Sequence, residues 1–216
     1  TNMVTIKYNS AGVQQNLVQY NGNANQIDNG IDIFMDSNKD IYVTGYATIS
    51  GQDLNYATMK YNNSLSPIWG SPSLYNGPGN LFDIPSKISV DNSGNVYVTG
   101  SSYGGQLLDL DYATIKYNSA GAQQWVRRYN GAASEEDNAV DLTWDNGGNV
   151  YVTGRVNGAV GESENIVTIK YSTLGNQLWL NEYNGPASQF DEGNSLKLGK
   201  NGHVYVTGFS SGIGTN

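Results

Sequence analysis

Apolar and polar residues alternate with a period of two in short segments along the whole chain. The segments AVDLTWD (Ala139–Asp145) and IVTIKY (Ile166–Tyr171) show this pattern, and the second is rich in β-branched residues. Such alternation is typical of β-strands, whose successive side chains point to opposite faces. No segment repeats apolar residues at i, i+3, i+4 and i+7 over several turns. The pattern therefore predicts short strands and essentially no helix.

Three short phrases recur along the chain at one spacing. The phrase YVTG ends in a glycine, the phrase T-x-K-Y contains a lysine, and the phrase YNG begins with a tyrosine. These residues are Gly45, Gly100, Gly154 and Gly208; Lys7, Lys60, Lys116 and Lys170; and Tyr20, Tyr75, Tyr129 and Tyr183. The glycines and the tyrosines are 55, 54 and 54 residues apart, and the lysines 53, 56 and 54. The chain is therefore a repeat protein with a period near 54 residues.

Each repeat unit contains four predicted strands. The third unit shows them as Ala139–Asp145, VYVTG, Ile166–Tyr171 and QLWLNEY (Gln177–Tyr183), joined by segments rich in Gly and Asn. Four-stranded units with a period of roughly 40 to 55 residues are typical of β-propeller blades, which cover one another's faces. The predicted fold class is all-β, a β-propeller forming a single domain over 1–216. A row of small sandwich domains is the alternative, although this period is short for a sandwich.

The repeat predicts half a blade at each end of the chain. The boundaries are a half-blade at 1–22, whole blades at 23–77, 78–131 and 132–185, and a half-blade at 186–216. The first half-blade holds a third and a fourth strand and the last holds a first and a second strand, so the two are complementary. Unpaired strand edges favour association, which leaves three arrangements open: a four-bladed ring within one chain, an eight-bladed ring of two chains, and an open fibre. Closure within one chain is favoured, because intramolecular pairing has the higher effective concentration.

Composition narrows the classes of function. The chain has 11 basic and 19 acidic residues and a net charge of -8, so it should repel nucleic acid and anionic membrane surfaces. Cysteine is absent, which excludes disulfides, thiol catalysis and sulfur-ligated metals. No segment reaches the roughly 18 to 20 apolar residues of a membrane span. No positively charged, apolar-centred leader is present, so the chain is expected to be cytosolic, already processed or part of something longer. The weakly charged, Asn-rich composition favours a bacterial secreted or cell-surface protein.

The repeated phrases also carry a family resemblance. The consensus D-x-x-G-N-V-Y-V-T-G, followed by Y-A-T-I-K-Y-N-x-x-G and Y-N-G, resembles the bacterial and archaeal seven-bladed β-propeller repeat family, called SBBP. The resemblance covers the whole chain. It implies a propeller on secreted or surface-attached proteins, with no shared catalytic residues. The chain departs from the family in copy number, four units instead of seven, which leaves the number of blades open.

An aspartate recurs just before the first strand of each unit, at Asp28, Asp83, Asp137 and Asp191. One interpretation is a ring of carboxylates near the top of the central channel, where a hard cation such as Ca²⁺ would bind. The alternative is that each Asp accepts backbone N–H bonds and orders the junction between blades. One such Asp in every unit favours the structural alternative, so no cofactor is expected unless the first interpretation holds.

The loops on one face of the predicted propeller diverge, whereas the turns on the other are nearly uniform. We call the face with the second-to-third and fourth-to-first connections the top face, and the other the bottom face. A ligand is expected at the top face, because functional loops diverge on a repeated scaffold, although surface drift would look the same. The ligand-binding candidates are the four junction aspartates with Glu135 and Glu136. An acidic top face and a basic or cationic partner are predicted from Asp53, Asp109, Asp111, Glu135, Glu136, Glu162, Glu164 and Glu192.

For the other conspicuous residues a structural role is favoured over a chemical one. Asp36, Asp91 and Asp145 lack the Glu of a calcium loop, and His203 stands where other units have Asp or Asn, so all are interpreted as turn residues. Repetition on the fourth strand favours packing between blades over a sugar-stacking rim for Trp69, Trp125, Trp179, Tyr75, Tyr129 and Tyr183. The glycine that ends YVTG is predicted to be strained by a β-carbon or to leave no room for one.

Three functions compete on this evidence. The first is a non-enzymatic scaffold of a secreted or cell-surface protein, which binds a protein or glycan through its blade loops or associates with itself through its half-blades. The second is a carbohydrate-binding, lectin-like propeller. The third is a lyase or hydrolase that uses acidic loop residues, and it predicts a polar cluster that breaks the repeat in one or two blades. The acidic segments at 134–137 and 162–164 supply no base, cation or nucleophile, so no catalytic residue is assigned.

Overall fold

The computed structural model describes residues 1–105, 110–133, 135–158 and 163–213, and within these ranges it contains strands and no helix. The strands are β1 (Met3–Tyr8), β2 (Gln14–Tyr20), β3 (Asp28–Met35), β4 (Ile41–Thr48), β5 (Leu54–Tyr61), β6 (Ser73–Tyr75), β7 (Asp83–Val90), β8 (Val96–Tyr103), β9 (Leu110–Tyr117), β10 (Gln123–Tyr129), β11 (Asn138–Trp144), β12 (Val150–Asn157), β13 (Glu164–Tyr171), β14 (Gln177–Tyr183), β15 (Asp191–Leu198) and β16 (Val204–Ser210). The predicted all-β class is confirmed.

The strands form three complete sheets and two half-sheets. The complete sheets are β3 to β6, β7 to β10 and β11 to β14, each antiparallel with its strands side by side in chain order. The half-sheets are β1 with β2 and β15 with β16. The first strands β3, β7, β11 and β15 pack against one another in series. This arrangement is propeller-like, with each sheet as a blade and the first strand innermost.

A β-bulge in every first strand explains the repeated glycine of the second strand. The pairing register shifts directly after Pro85, which lies opposite Gly100, and the other three first strands shift at the same phase. A β-carbon built on Gly100 would lie 2.3 Å from the carbonyl oxygen of Ile84 and 2.7 Å from the hydroxyl of Tyr56, which comes from the preceding blade. At Gly154 the paired-strand carbonyl is 2.0 Å away. The prediction that these glycines leave no room for a β-carbon is confirmed.

The hydrophobic core lies between blades. One buried cluster joins Tyr42, Tyr56 and Trp69 of the first complete blade to Ile88 and Val98 of the second. A second cluster joins the second and third complete blades in the same way. Inside each blade, threonines of the second and third strands face each other, with hydroxyl oxygens 2.9 to 3.2 Å apart. Each blade thus depends on its neighbour for cover, as expected for stacked repeats.

The two half-sheets do not meet in this structure. Strand β1 pairs only with β2 and packs on β3, while β16 pairs only with β15, which packs on the third complete blade. Each half-sheet is therefore held by its own neighbour through the same contacts that join complete blades. The four-bladed ring closed within one chain, which effective concentration favours, is not formed.

Candidate functional site

The four repeated aspartates lie buried at the junctions between blades. Each accepts a hydrogen bond from the backbone N–H of the glycine in the preceding YNG phrase, for example Gly22 to Asp28 at 2.9 Å and Gly77 to Asp83 at 2.7 Å. The same contacts join Gly131 to Asp137 and Gly185 to Asp191. These are the contacts that the structural interpretation requires. Among the described residues no group of three or more His, Cys, Asp or Glu is placed to hold a metal.

At two of the four junctions the second oxygen of the carboxylate accepts a hydrogen bond from the blade's own second strand. The backbone N–H of Thr48 donates to Asp28 at 3.1 Å, and that of Asn157 donates to Asp137 at 2.9 Å. Burial raises the pKa of Asp83, although hydrogen bonds from Ser102 and Gly77 oppose the shift. The carboxylate thus clamps the end of one blade to the next, at the cost of burying a charge.

A second repeated cluster lies on the bottom face and is also structural. In the third complete blade, Asp145 accepts the backbone N–H of Gly147 and of Asn149 at 2.9 Å and the hydroxyl of Tyr151 at 2.9 Å. The ammonium of Lys170 lies 4.9 Å from the centre of the Tyr151 ring, a cation–π geometry. Burial raises the pKa of Asp145, but the hydrogen bonds and Lys170 outweigh it, so its pKa is lowered.

The remaining bottom-face prediction concerns His203, which is exposed in the last such turn. Positive φ belongs to the preceding residue, Gly202 at +80°, and to Lys39 at +67° in the first such turn. The backbone N–H of His203 donates to the side-chain oxygen of Asn201. His203 is thus a turn residue. The left-handed backbone position lies one residue before it, so neither His203 nor the Asp and Asn at the same phase of the other units occupies that position.

Two of the three repeated tryptophans, Trp69 and Trp125, pack between blades rather than forming a rim. Trp69 and Trp125 are buried, and their indole N–H groups donate to carbonyl oxygens in the next blade, of Ser119 at 3.0 Å and of Thr173 at 3.1 Å. Because both the ring faces and the N–H groups are used, these side chains do not offer a sugar a stacking surface. The predicted packing role is confirmed for this pair.

Two polar residues that break the repeat, Glu136 and Arg155, line one cleft, which we call the top cleft. It has a volume of about 460 Å³ and lies between β7 and β11, with Ile84, Leu110 and Val140 among its apolar lining and Glu136 and Arg155 among its polar lining. Arg155 stands where the other units have Tyr46, Ser101 and Phe209. A comparison of residues at equal phase would have singled it out.

Charge at the top cleft is predominantly acidic. Arg155 is ion-paired with Glu164 on β13 and lies 3.9 Å from Glu192 on β15. Glu136 lines the cleft and is exposed, as is its chain neighbour Glu135, and the Glu136 carbonyl accepts a hydrogen bond from the Asn157 side chain at 2.8 Å. Arg155 thus lies among carboxylates, since it is ion-paired with Glu164 and Glu192, and Glu136 and Asp137 line the same cleft.

The acidic top-face prediction holds only in part. Asp53, Glu135 and Glu136 do lie in top loops. The placement of Asp111, Glu164 and Glu192 in loops is wrong, because they lie in strands and are ion-paired: Asp111 with Arg128, and both glutamates with Arg155. A charged side chain that is buried at the end of a strand needs a partner of opposite charge. Arg128 supplies it from β10, which pairs with β9, and Arg155 supplies it from β12, which pairs with β13. Asp109 and Glu162 lie outside the described residues.

Comparison with protein families supports the repeat assignment. Residues 75–107 match the SBBP beta-propeller repeat. The predicted resemblance is confirmed, and the matched SBBP segment contains β7 and β8 with both Asp83 and Gly100. No curated protein matches the chain, and no helix within the described ranges is long and apolar enough to cross a membrane.

Proposed function

We propose that this chain is a non-enzymatic propeller scaffold of a secreted or cell-surface protein, and that it binds a basic segment of a polypeptide at the top cleft. The observation that carries the proposal is a difference in role between polar residues that repeat in the units and polar residues that break the repeat. The aspartates that repeat serve the junctions and turns, whereas Arg155 and Glu136, which break the repeat, line one cleft beside the junction residue Asp137. Functional residues on repeat scaffolds are expected to differ from the consensus in this way.

The chemistry of the cleft favours a polypeptide over a sugar. Its floor is aliphatic, with Ile84, Leu110 and Val140, and the described lining residues include no aromatic ring. Stacking on aromatic faces is what a lectin-like site would use, and the candidate rings Trp69 and Trp125 are buried. An aliphatic side chain of the partner would fill the floor, while an adjacent Lys or Arg would meet Glu136. Acidic edges also raise the association rate of basic partners.

The cluster supports binding better than catalysis. The carboxylates of Glu164 and Glu192 are directed to Arg155. Their charges are therefore balanced by the guanidinium, and the two carboxylates do not flank a position that a substrate could occupy. The single histidine of the sequence, His203, lies in a bottom turn. No nucleophile–base pair of the kind needed for hydrolysis is assigned to the cleft residues.

Selection from a random displayed-peptide library tests the proposal, with a glycan array in parallel. We expect enriched peptides to carry Lys or Arg beside an aliphatic residue and to lose at least tenfold in affinity for the variants E136Q and I84S. The variant D53N is the matched control, because it removes one carboxylate from a top loop of another blade. Peptides without basic residues, equal losses with D53N, or glycan binding unaffected by I84S would contradict the proposal.

A further inference from the structure

The bottom turn that joins β15 and β16 departs from the other bottom turns at two positions. Gly199 replaces the aspartate that begins the other turns, and His203 replaces an Asp or an Asn. In the third complete blade the Gly148 N–H closes the turn by donating to the Asp145 carbonyl at 2.8 Å. The Gly202 N–H donates to the Gly199 carbonyl in the same way, at 2.9 Å. The two departures therefore change the side-chain chemistry of the turn and keep its hydrogen-bonded backbone.

Between the two departures lies Asn201–Gly202, one of eight Asn–Gly pairs in the sequence. Asparagine is a thermolabile residue, and in an Asn–Gly pair its side chain reacts with the backbone of the next residue. The glycine nitrogen attacks the side-chain carbon Cγ and loses its proton to water, and the Cγ–Nδ2 bond breaks to release ammonia. Water then opens the resulting succinimide to aspartate or isoaspartate. Glycine favours the attack because it has no β-carbon to restrict the backbone.

Six of the eight pairs are protected by the fold. In each of the four YNG phrases the glycine N–H donates to a buried junction aspartate, for example Gly77 to Asp83 at 2.7 Å. Attack requires this nitrogen to give up its proton, and a neighbouring carboxylate opposes negative charge on it. Two more pairs begin in strands, at Asn29 in β3 and Asn157 in β12, where the pairing of the sheet restricts the backbone.

The remaining two pairs lie in bottom turns and differ in what holds the attacking nitrogen. The Gly147 N–H donates to the carboxylate of Asp145 at 2.9 Å, so Asn146 has the same protection as the YNG phrases. The Gly202 N–H donates to the neutral carbonyl of Gly199, and this turn has no aspartate at its first position. The nitrogen that attacks Cγ in the last turn is therefore free of the opposing charge.

His203 contacts both polar atoms of the Asn201 side-chain amide. Its ring nitrogen Nδ1 lies 2.8 Å from Nδ2, which is the leaving nitrogen, and its backbone N–H donates to Oδ1 at 3.2 Å. A proton on Nδ1 can pass to Nδ2 as ammonia departs, which is general acid catalysis. The backbone N–H stabilises the negative charge that develops on Oδ1 when Cγ is attacked, as a donor in an oxyanion hole does.

We propose that Asn201 is a site of self-modification, at which the chain deamidates through a succinimide with His203 as the proton donor. The imidazole regains its proton from water, so His203 is unchanged at the end. Water reaches the turn, because Asn201 is exposed, as are Ser93 and Gly147 at the same phase of complete blades. The product carries one more negative charge on the bottom face, and isoaspartate also lengthens the backbone of the turn by a methylene. This inference does not depend on the top cleft.

Peptide mapping by mass spectrometry measures every site in one sample of the purified protein incubated at neutral pH. We expect Asn201 to react first, at least about tenfold faster than Asn146, since a positioned general acid contributes roughly 10² to 10⁴ and an exposed one less. In urea, where the turns are lost, the eight pairs should react at comparable rates. Equal rates at Asn201 and Asn146 in the folded protein, or a preference for Asn201 that persists in urea, would overturn the proposal.

The variant H203N tests the imidazole and keeps the backbone N–H. It should fold normally, because Asn95 and Asn149 occupy this phase in complete blades. Deamidation of Asn201 should slow by about tenfold, and free imidazole in the buffer should accelerate H203N more than the wild type. The matched control is K200Q, which removes another basic side chain of the same turn and should leave the rate unchanged. The proposal fails if H203N deamidates at the wild-type rate or if K200Q slows the reaction equally.

Discussion

The variant G100A tests whether close packing at the bulge explains the glycine that ends each YVTG phrase. Gly100 lies on β8, where a β-carbon would be 2.3 Å from the Ile84 carbonyl oxygen and 2.6 Å from the Cα atom of Pro85. Ordinary C···O contacts begin near about 3.3 Å, so the paired strands must separate by about 1 Å. The obstacle is backbone on the partner strand, and a change of rotamer therefore cannot relieve it.

The expected loss of stability follows from two opposing contributions. Overpacking of this kind costs about 1 to 3 kcal/mol. Replacing glycine by alanine in a strand returns about 0.5 to 1 kcal/mol of backbone entropy. Because the obstacle is backbone, the upper part of the overpacking range applies. The net expectation is therefore a loss of about 1 to 2 kcal/mol, which corresponds to a melting temperature lower by roughly 2 to 8 °C for a chain of this size.

Urea unfolding followed by tryptophan fluorescence, together with a thermal scan, measures the loss. G70A is the matched control, because nothing lies within 4 Å of the added carbon and Gly70 has no positive φ. It should be neutral or slightly stabilising. The reasoning is refuted if G100A lies within about 0.5 kcal/mol of the wild type, the usual range for a neutral surface change.

Three further outcomes are expected. D83A should cost about 1 to 3 kcal/mol, because the buried N–H of Gly77 loses its acceptor, and D83N should cost clearly less in the same urea assay; equal losses would show that the hydrogen bond is not what matters. W125A should cost about 3 to 5 kcal/mol and W179A less, since Trp125 is buried and Trp179 is partly exposed; similar values would contradict packing between blades. D145N should lower stability at pH 7, and the difference from wild type should vanish as the pH falls below 3.8, because Asp145 has a lowered pKa in the folded state; a gap that persists at pH 2 would exclude a role for the charge.

The linkage for Asp145 differs in sign from that for Asp83. A lowered folded-state pKa stabilises the fold above the unfolded value and is lost as the pH falls through the folded value. Asp83 has a raised pKa because of burial, so its ionisation opposes folding at neutral pH. Asp83 and Asp145, which stand at two different phases of the repeat, thus act on stability in opposite directions as pH changes.

The local sequence determined the blade. Alternating residues predict the strands, and the period identifies the repeat, because both depend on neighbours in the chain. The roles of Gly100 and Trp125 were also predictable, since a residue repeated at one phase of every unit serves contacts that every unit makes. The bulge that requires Gly100 could not be read directly, because it depends on the register between two strands.

Tertiary structure alone decided where the exceptional residues meet. Arg155 and Glu136 belong to the third complete blade, whose packing on β7 places them at one cleft. Glu192 comes from the last half-sheet, and only the packing of β15 on that blade brings it to Arg155. The pairing of Asp111 with Arg128 likewise depends on strand register. Whether the ends of the row meet depends on the angle between successive blades. That angle is set by buried contacts between blades, such as Tyr56 against Gly100, rather than by any local pattern, and it leaves β1 and β16 in separate sheets.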